Sequence, residues 1–212
     1  MLGVDYGSVQ ARAIAGEAMR HVCLAAYRSS IELASERGHF PAFDKERYLA
    51  APFLQRLADE LRKEIRHSGI RNSHLTAIAP AGSISLLANN LSCGIEPVRM
   101  LHGERSIPDQ APVPVQDYAW ALFRQRCGEQ AEPPPALAHA CEAGVAAQLD
   151  MMAALQPCVD QAIAKTVRIP DGLSADDCRA VFNDAWRQGL KGCTMYRAAS
   201  APQAAVEAGC HR

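Results

Sequence analysis

The residues best placed to do chemistry in this chain are Pro80, Ala81, Gly82, Ser83, Ile84 and Ser85, a PAGSIS turn between two apolar runs in RNSHLTAIAPAGSISLLANN. An apolar segment of strand length that ends in such a turn and restarts at helical spacing leaves several backbone N–H groups unpaired and pointing the same way. The positive end of the helix dipole lies behind them. That arrangement binds anions, phosphate above all. Pro80 closes the strand, Ala81 and Gly82 let an oxygen approach the backbone, and the hydroxyls of Ser83 and Ser85 offer further donors. The dipole contributes only about 0.3 to 1 kcal/mol, so real affinity has to come from several N–H bonds together. The turn is not a P-loop, a dinucleotide fingerprint or a nucleophile elbow, because GxxxxGKS/T, GxGxxG and GxSxG are all missing. Taken alone, a tight strand-to-helix turn capped by Ser83 explains the same letters equally well.

Other reactive side chains are scattered. Cys23, Cys93, Cys127, Cys141, Cys158, Cys178, Cys193 and Cys210 lie far apart with no CxxC, which favours free thiols over a disulfide framework or a zinc site. His67, His74 and His139 show no metal-ligand spacing and read as surface or capping residues.

The elements that must carry the turn belong to a chain of 212 residues, long enough to bury its own core, with 49% hydrophobic and 21% charged residues. Its 22 basic and 23 acidic residues leave a formal charge of -1, so nothing in the charge balance calls for nucleic acid. No window approaches the roughly 18 apolar residues of a membrane span, and the opening MLGVDYGSVQARAIAG lacks a basic and then apolar leader. The expectation is a cytoplasmic protein with no membrane contact.

Residues 10 to 38 set Ile14, Ala18, Val22, Ala25, Ala26 and Leu33 at helical spacing and close on a glycine. HFPAFDKERY is a proline-kinked link into another helix start. Residues 49 to 68 place Leu54, Leu57, Leu61 and Ile65 on one face of a predicted surface helix. LTAIAP reads as a strand and SISLLANN as a helix, whereas PDQAPVPVQDY and GEQAEPPPAL read as turns or linkers. An Ala-rich helical region over 136 to 165, broken at Pro157, feeds the strand KTVRIP. SADDCRAVFNDAWRQG forms a helix with Ser174 as N-cap and Asp176 and Asp177 in its first turn, and delivers the chain to an apparent strand in LKGCTMYR. Helices alternating with single short strands, without a hairpin signal, argue for α/β architecture with parallel pairing. Only about three strands are readable, fewer than a covered parallel sheet usually has. The chain reads as part of something larger.

Against that frame, RNSHLTAIAPAGSISLLANNLSCGIEP resembles the segment of ribonucleotide reductase catalytic chains that usually reads APTGTIS followed by SGIEP, in the adenosylcobalamin-dependent class. AYRSSIELASERGHFPAFDKERYL, QPCVDQAIAKTVRIP and AWRQGLKGCTMYR resemble further blocks of that class in the same order. The similarity runs from about Leu2 to Arg197 and corresponds to the C-terminal part of a much longer family chain. The resemblance implies a C-terminal barrel segment over 1–197, a portion of a ten-stranded α/β barrel, followed by a short tail over 198–212. It also implies that Pro80, Ala81, Gly82, Ser83 and Ile84 hold the diphosphate of a ribonucleotide substrate. Ala81 stands where the family often has Thr, and so does Ser83; one hydroxyl is lost and one kept.

The family's radical cysteine sits in a finger loop reading NxCxE, and that motif does not occur here. Asn90, Cys93 and Glu96 in NLSCGIE have the wrong spacing and occupy the SGIEP block instead, so Cys93 reads as a buried thiol. The family's closely spaced tail cysteines are reduced to Cys210 in EAGCHR, which could relay electrons only with a partner from another chain. Cys193 reads as core. The resemblance therefore implies the small chain of a split enzyme. A large catalytic chain would bring the radical and redox cysteines and hold most of the adenosylcobalamin contacts. The competing reading is a non-catalytic nucleotide-binding or regulatory module derived from the same barrel. A third, weaker reading is an unrelated phosphate-ester enzyme, which the lack of a clustered acid, base or metal set disfavours.

Overall fold

A computed structural model of the chain describes residues 2–91, 93–105 and 111–197. The long helix α1 spans Val9–Arg37; Ser8 accepts at its N-cap from the Ala11 amide, and Gly38 ends it with a positive φ of 78°. Short α2 (Lys45–Leu49) starts on the Asp44 side chain, and α3 covers Asp59–Ser68. Then come α4 (Gly82–Leu87), β1 (His102–Arg105), β2 (Val113–Gln116), α5 (Tyr118–Cys127), α6 (Pro135–Cys141) and α7 (Val145–Leu155). The chain closes with β3 (Thr166–Ile169), α8 (Ala175–Arg187) and β4 (Thr194–Arg197). On α8, Ser174 and Asp177 cap each other reciprocally, so its start is fixed by the residues that announced it in the sequence.

Three extended segments run parallel, with residues 160 to 169 in the middle. β3 pairs with β4 in the register Thr166↔Thr194 to Ile169↔Arg197, and upstream Ile163 bridges Ile78. The predicted strand LTAIAP is thus present as an extended segment that makes one bridge, with the Ala164 amide donating to the Ile78 carbonyl at 3.0 Å. Among the described residues this three-membered unit does not close into a barrel.

Two cores flank it. Cys23, Tyr27, Ile31, Leu54, Leu61 and Ile65 form one between α1 and α3; Leu149, Met152, Leu155, Val159, Val167 and Val181 form the other between α7, α8 and β3. α1 serves both, because Ala11, Ala15 and Met19 in its first half pack on the second core.

Three sequence expectations need correction. Residues 49 to 68 are not one helix: a 3-10 turn over Leu54–Arg56 gives way to an extended Leu57, and α3 begins at Asp59, where Asp59 and Glu60 favour a new first turn. Leu54, Leu57, Leu61 and Ile65 are nevertheless all buried. The Ala-rich region breaks at Gly144 as well as near Pro157, giving α6 and α7 separately. Finally, Val113–Gln116 inside the predicted proline-rich linker is a strand, paired antiparallel with β1. Pro114 is tolerated because both members of a two-stranded ribbon are edges, where a missing N–H costs no ladder bond. Residues 108 to 110 of that linker, like the predicted tail, lie outside the described residues.

Candidate functional site

The five predicted phosphate-loop residues lie in one turn at the end of the extended segment 75 to 79. Ala81 adopts a left-handed conformation, φ 57° and ψ 27°, and immediately precedes α4. A non-glycine residue there is strained by about 1 to 2 kcal/mol. No side chain caps α4, and the amides of Gly82 and Ile84 make no hydrogen bond among the described residues. The first α4 bond runs from the Ser85 amide to the Ala81 carbonyl at 2.8 Å. Gly82 is buried, whereas Ser83 and Ile84 are exposed, so the turn offers backbone at its floor and side chains at its rim.

The expectation that Ser85 adds a donor does not hold. Its buried hydroxyl donates to the Gly82 carbonyl at 2.7 Å and lies 3.4 Å from the Cys93 sulfur. A serine within a helix turns readily to the carbonyl three residues back. Cys93 is half-buried against that hydroxyl and not deeply buried.

What holds the turn in place comes from elsewhere in the chain. Gly94, at φ 51°, passes so close to the strand end that a Cβ there would sit 2.6 Å from the Ala79 carbonyl oxygen. Two residues on, Glu96 accepts from Lys165 Nζ at 2.7 Å and from the Thr166 amide at 3.1 Å. Lys165 is 2% exposed, and its ammonium also donates to Gln148 Oε1 at 2.9 Å and to the Thr166 carbonyl at 2.8 Å. Burial pushes that ammonium below the ordinary lysine range, with the Glu96 charge pulling the other way. Tyr6 donates its hydroxyl to the Ile95 carbonyl at 2.9 Å, and burial raises its pKa.

The strand before the turn is anchored by Asp160. Its carboxylate accepts from the Leu75 amide at 2.7 Å, the Thr76 amide at 3.0 Å and the Tyr27 hydroxyl at 3.2 Å. Asp160, Tyr27, Phe40, Tyr48 and Phe53 line a cavity of about 460 Å³ on the α1–α2 side. Desolvation raises the Tyr48 phenol to about 12.

The remaining candidates are not brought together. His139 Nδ1 lies 2.8 Å from Asp5 Oδ2 on the surface, His74 lies beside Ser73, and His67 ends α3. Cys193 is partly buried against the second core, just before β4. Cys210 lies outside the described residues. Sequence reading missed Glu96, Gln148, Asp160 and Lys165 as supports; their one visible signal was a charged or amide side chain inside an otherwise apolar run.

The described residues thus form a helix-rich α/β unit with a few short strands, with a backbone turn at the end of the extended segment that bridges Ile163. Residues 1–196 match the family model described as ribonucleotide reductase, barrel domain, and the chain belongs to that family. A protein of Mycobacterium tuberculosis (strain CDC 1551 / Oshkosh) named vitamin B12-dependent ribonucleoside-diphosphate reductase is 33% identical over 216 residues, covering 92% of this chain and 29% of the relative. Vitamin B12-dependent ribonucleotide reductases of Streptomyces coelicolor and Rhodopirellula baltica are each 24% identical, again over 92% of this chain but only 25% and 24% of the relatives. The chain thus spans 24% to 29% of the length of these relatives. None of the helices among the described residues is long and apolar enough to cross a membrane.

Proposed function

We propose that this chain is the small, C-terminal component of a split adenosylcobalamin-dependent ribonucleotide reductase. Its Pro80–Ile84 turn binds the diphosphate of the ribonucleotide, and a larger partner chain brings the radical cysteine and redox cysteines. The observation that carries this reading is the undonated pair of amides at Gly82 and Ile84 beside a left-handed Ala81, on a turn buttressed from below by Gly94. Several backbone donors converging on one anion supply what the weak dipole of a six-residue helix does not.

The chain's own residues then bind and orient. Gly82 and Ile84 donate their amides to phosphate oxygens, and the exposed Ser83 stands beside them. Lys165 and Glu96 hold the turn rigid, so the sugar is presented at a fixed height to the partner's chemistry. The reading leaves adenosylcobalamin to be held mainly by the partner chain.

The test is reconstitution. The purified chain alone is expected to show no reduction of ribonucleoside diphosphates, and the large chain with adenosylcobalamin and a dithiol reductant is expected to restore it. Full activity without the partner, or none with it, overturns the proposal.

A further inference from the structure

The cavity beside Asp160 has no part in the Pro80–Ile84 turn. It lies where the extended segment begins, at the anchored amides of Leu75 and Thr76, so about 16 Å of strand separates it from Pro80 at roughly 3.3 Å per residue. Its volume of about 460 Å³ is that of a small-molecule site, and Tyr27, Phe40, Tyr48 and Phe53 give it an aromatic wall. These rings brace one another: Tyr27 stacks on Phe53 with centroids 5.9 Å apart, and Phe40 meets Tyr48 edge to face at 5.7 Å. Their faces are set before any ligand arrives. The polar groups among them are biased one way. The Tyr27 hydroxyl donates to Asp160 at 3.2 Å and the Tyr48 hydroxyl to the Ser73 carbonyl at 3.1 Å, so each phenol oxygen has only lone pairs left to offer. Burial raises both phenols, Tyr48 to about 12, and keeps them neutral.

Asp44 and Asp160, which also line the cavity, are carboxylates and can only accept; with Arg47 as the guanidinium set against them, the lining is net negative. The Asp44 carboxylate is held in place as the cap of α2, accepting from the Arg47 amide at 3.0 Å. One wall ring already carries a cation, because Lys191 Nζ, bonded to the Val159 and Asp160 carbonyls, sits 5.5 Å from the centre of Phe53.

We propose that this cavity binds a small organic ammonium ion, an alkyl- or arylalkylamine in its protonated form. Acceptors without spare donors, a negative lining and fixed ring faces all select that chemistry. The carbon skeleton packs on Phe40, Tyr48 and Phe53, while the ammonium donates to the Tyr48 oxygen and the Asp44 carboxylate; Asp160 adds its charge. A neutral aromatic of the same size finds the rings but brings no ammonium to the acceptors, and an anion meets two carboxylates. The site is independent of the split-reductase reading.

The experiment titrates the full chain at neutral pH, by calorimetry, with phenethylammonium chloride and separately with 2-phenylethanol, its neutral counterpart. The ammonium is expected to bind saturably and the alcohol about tenfold more weakly. Asp44→Asn removes a charge and keeps the cap, since asparagine caps a helix as well as aspartate does. It is expected to weaken the ammonium about fivefold and to leave the alcohol unchanged. Tyr48→Phe keeps the ring, leaves the cap untouched and takes away one acceptor, so it should also weaken the ammonium selectively. Asp176→Asn, on exposed α8, is the control for general charge attraction and should change neither ligand. No saturation in the millimolar range, or equal binding of the alcohol, overturns the proposal. So do an ammonium affinity untouched by both D44N and Y48F, and equal losses for D44N and D176N.

Discussion

Lys165 and Glu96 stand 69 positions apart in the chain, yet the lysine Nζ lies 2.7 Å from the glutamate Oε2 with the lysine side chain fully shielded from water. Such a pair joins the segment beneath the Pro80–Ile84 turn to the middle parallel segment. Lys165→Met strands a largely buried carboxylate and also leaves Gln148 Oε1 with one donor fewer, which should cost about 3 to 5 kcal/mol. Glu96→Gln keeps the shape but leaves a buried ammonium without its counter-charge, so it is destabilising too. The double variant removes both charges and should cost clearly less than the sum of the singles. Urea unfolding of the four forms measures this; additive losses would mean that the two groups do not act as a pair.

Gly94 controls the other side of the same loop. An added Cβ meets the Ala79 backbone carbonyl at 2.6 Å in a backbone conformation that already disfavours side chains. Gly94→Ala is expected to cost about 1 to 3 kcal/mol and to push Ala79 and Pro80 out of place. In the reconstituted enzyme it should raise KM for the diphosphate more than it lowers kcat. Gly172→Ala is the control: φ is 86° but nothing lies within 4 Å of the new Cβ. It shares the backbone strain and should leave KM unchanged.

Much of this fold is written locally, and what is not local was misread. Ser174 with Asp177, and Gly38 after Arg37, act within a turn of their helices, so the ends of α8 and α1 could be read directly. Periodicity found α1 but could not tell which side is covered, because Tyr27 and Cys23 are buried by α3 and residues after it. β2 was hidden by Pro114, which argues against a central strand but not an edge. At the site, the turn was legible from Pro80 and Gly82 set between two apolar runs, although its left-handed position falls on Ala81 and not on the glycine. Its supports were not, since Asp160 and Lys165 take their roles from side chains and amides 17 to 133 positions away.

Asp160 offers a test of the strand that delivers the loop. Its two oxygens accept from two backbone amides and one phenol, and an asparagine can present an acceptor to only one of those amides. Asp160→Asn should therefore cost about 1 to 3 kcal/mol. Hydrogen exchange should speed up at Leu75 and Thr76 ahead of β3. Unchanged protection at both amides would mean that Ile78 and its bridge to Ile163 hold the segment without the carboxylate.

Alkaline pH separates the thiols. Burial, with smaller contributions from Cys158 and Asp160, pushes Cys23 from an ordinary 9.0 up to about 11. The folded chain therefore keeps a proton that the unfolded chain has already released. The stability this brings is fully present below pH 9 and is lost as pH rises through about 11. Between these values the unfolding free energy should fall with pH, and Cys23→Ser should flatten that slope because serine does not titrate there. At pH 8 an alkylating reagent followed by mass spectrometry should label the exposed Cys127 well before Cys23, which is 2% exposed. Early labelling of Cys23 would show that α1 separates from α3 readily, and that the first core, with the strand anchored to it through Tyr27 and Asp160, is open in the isolated chain.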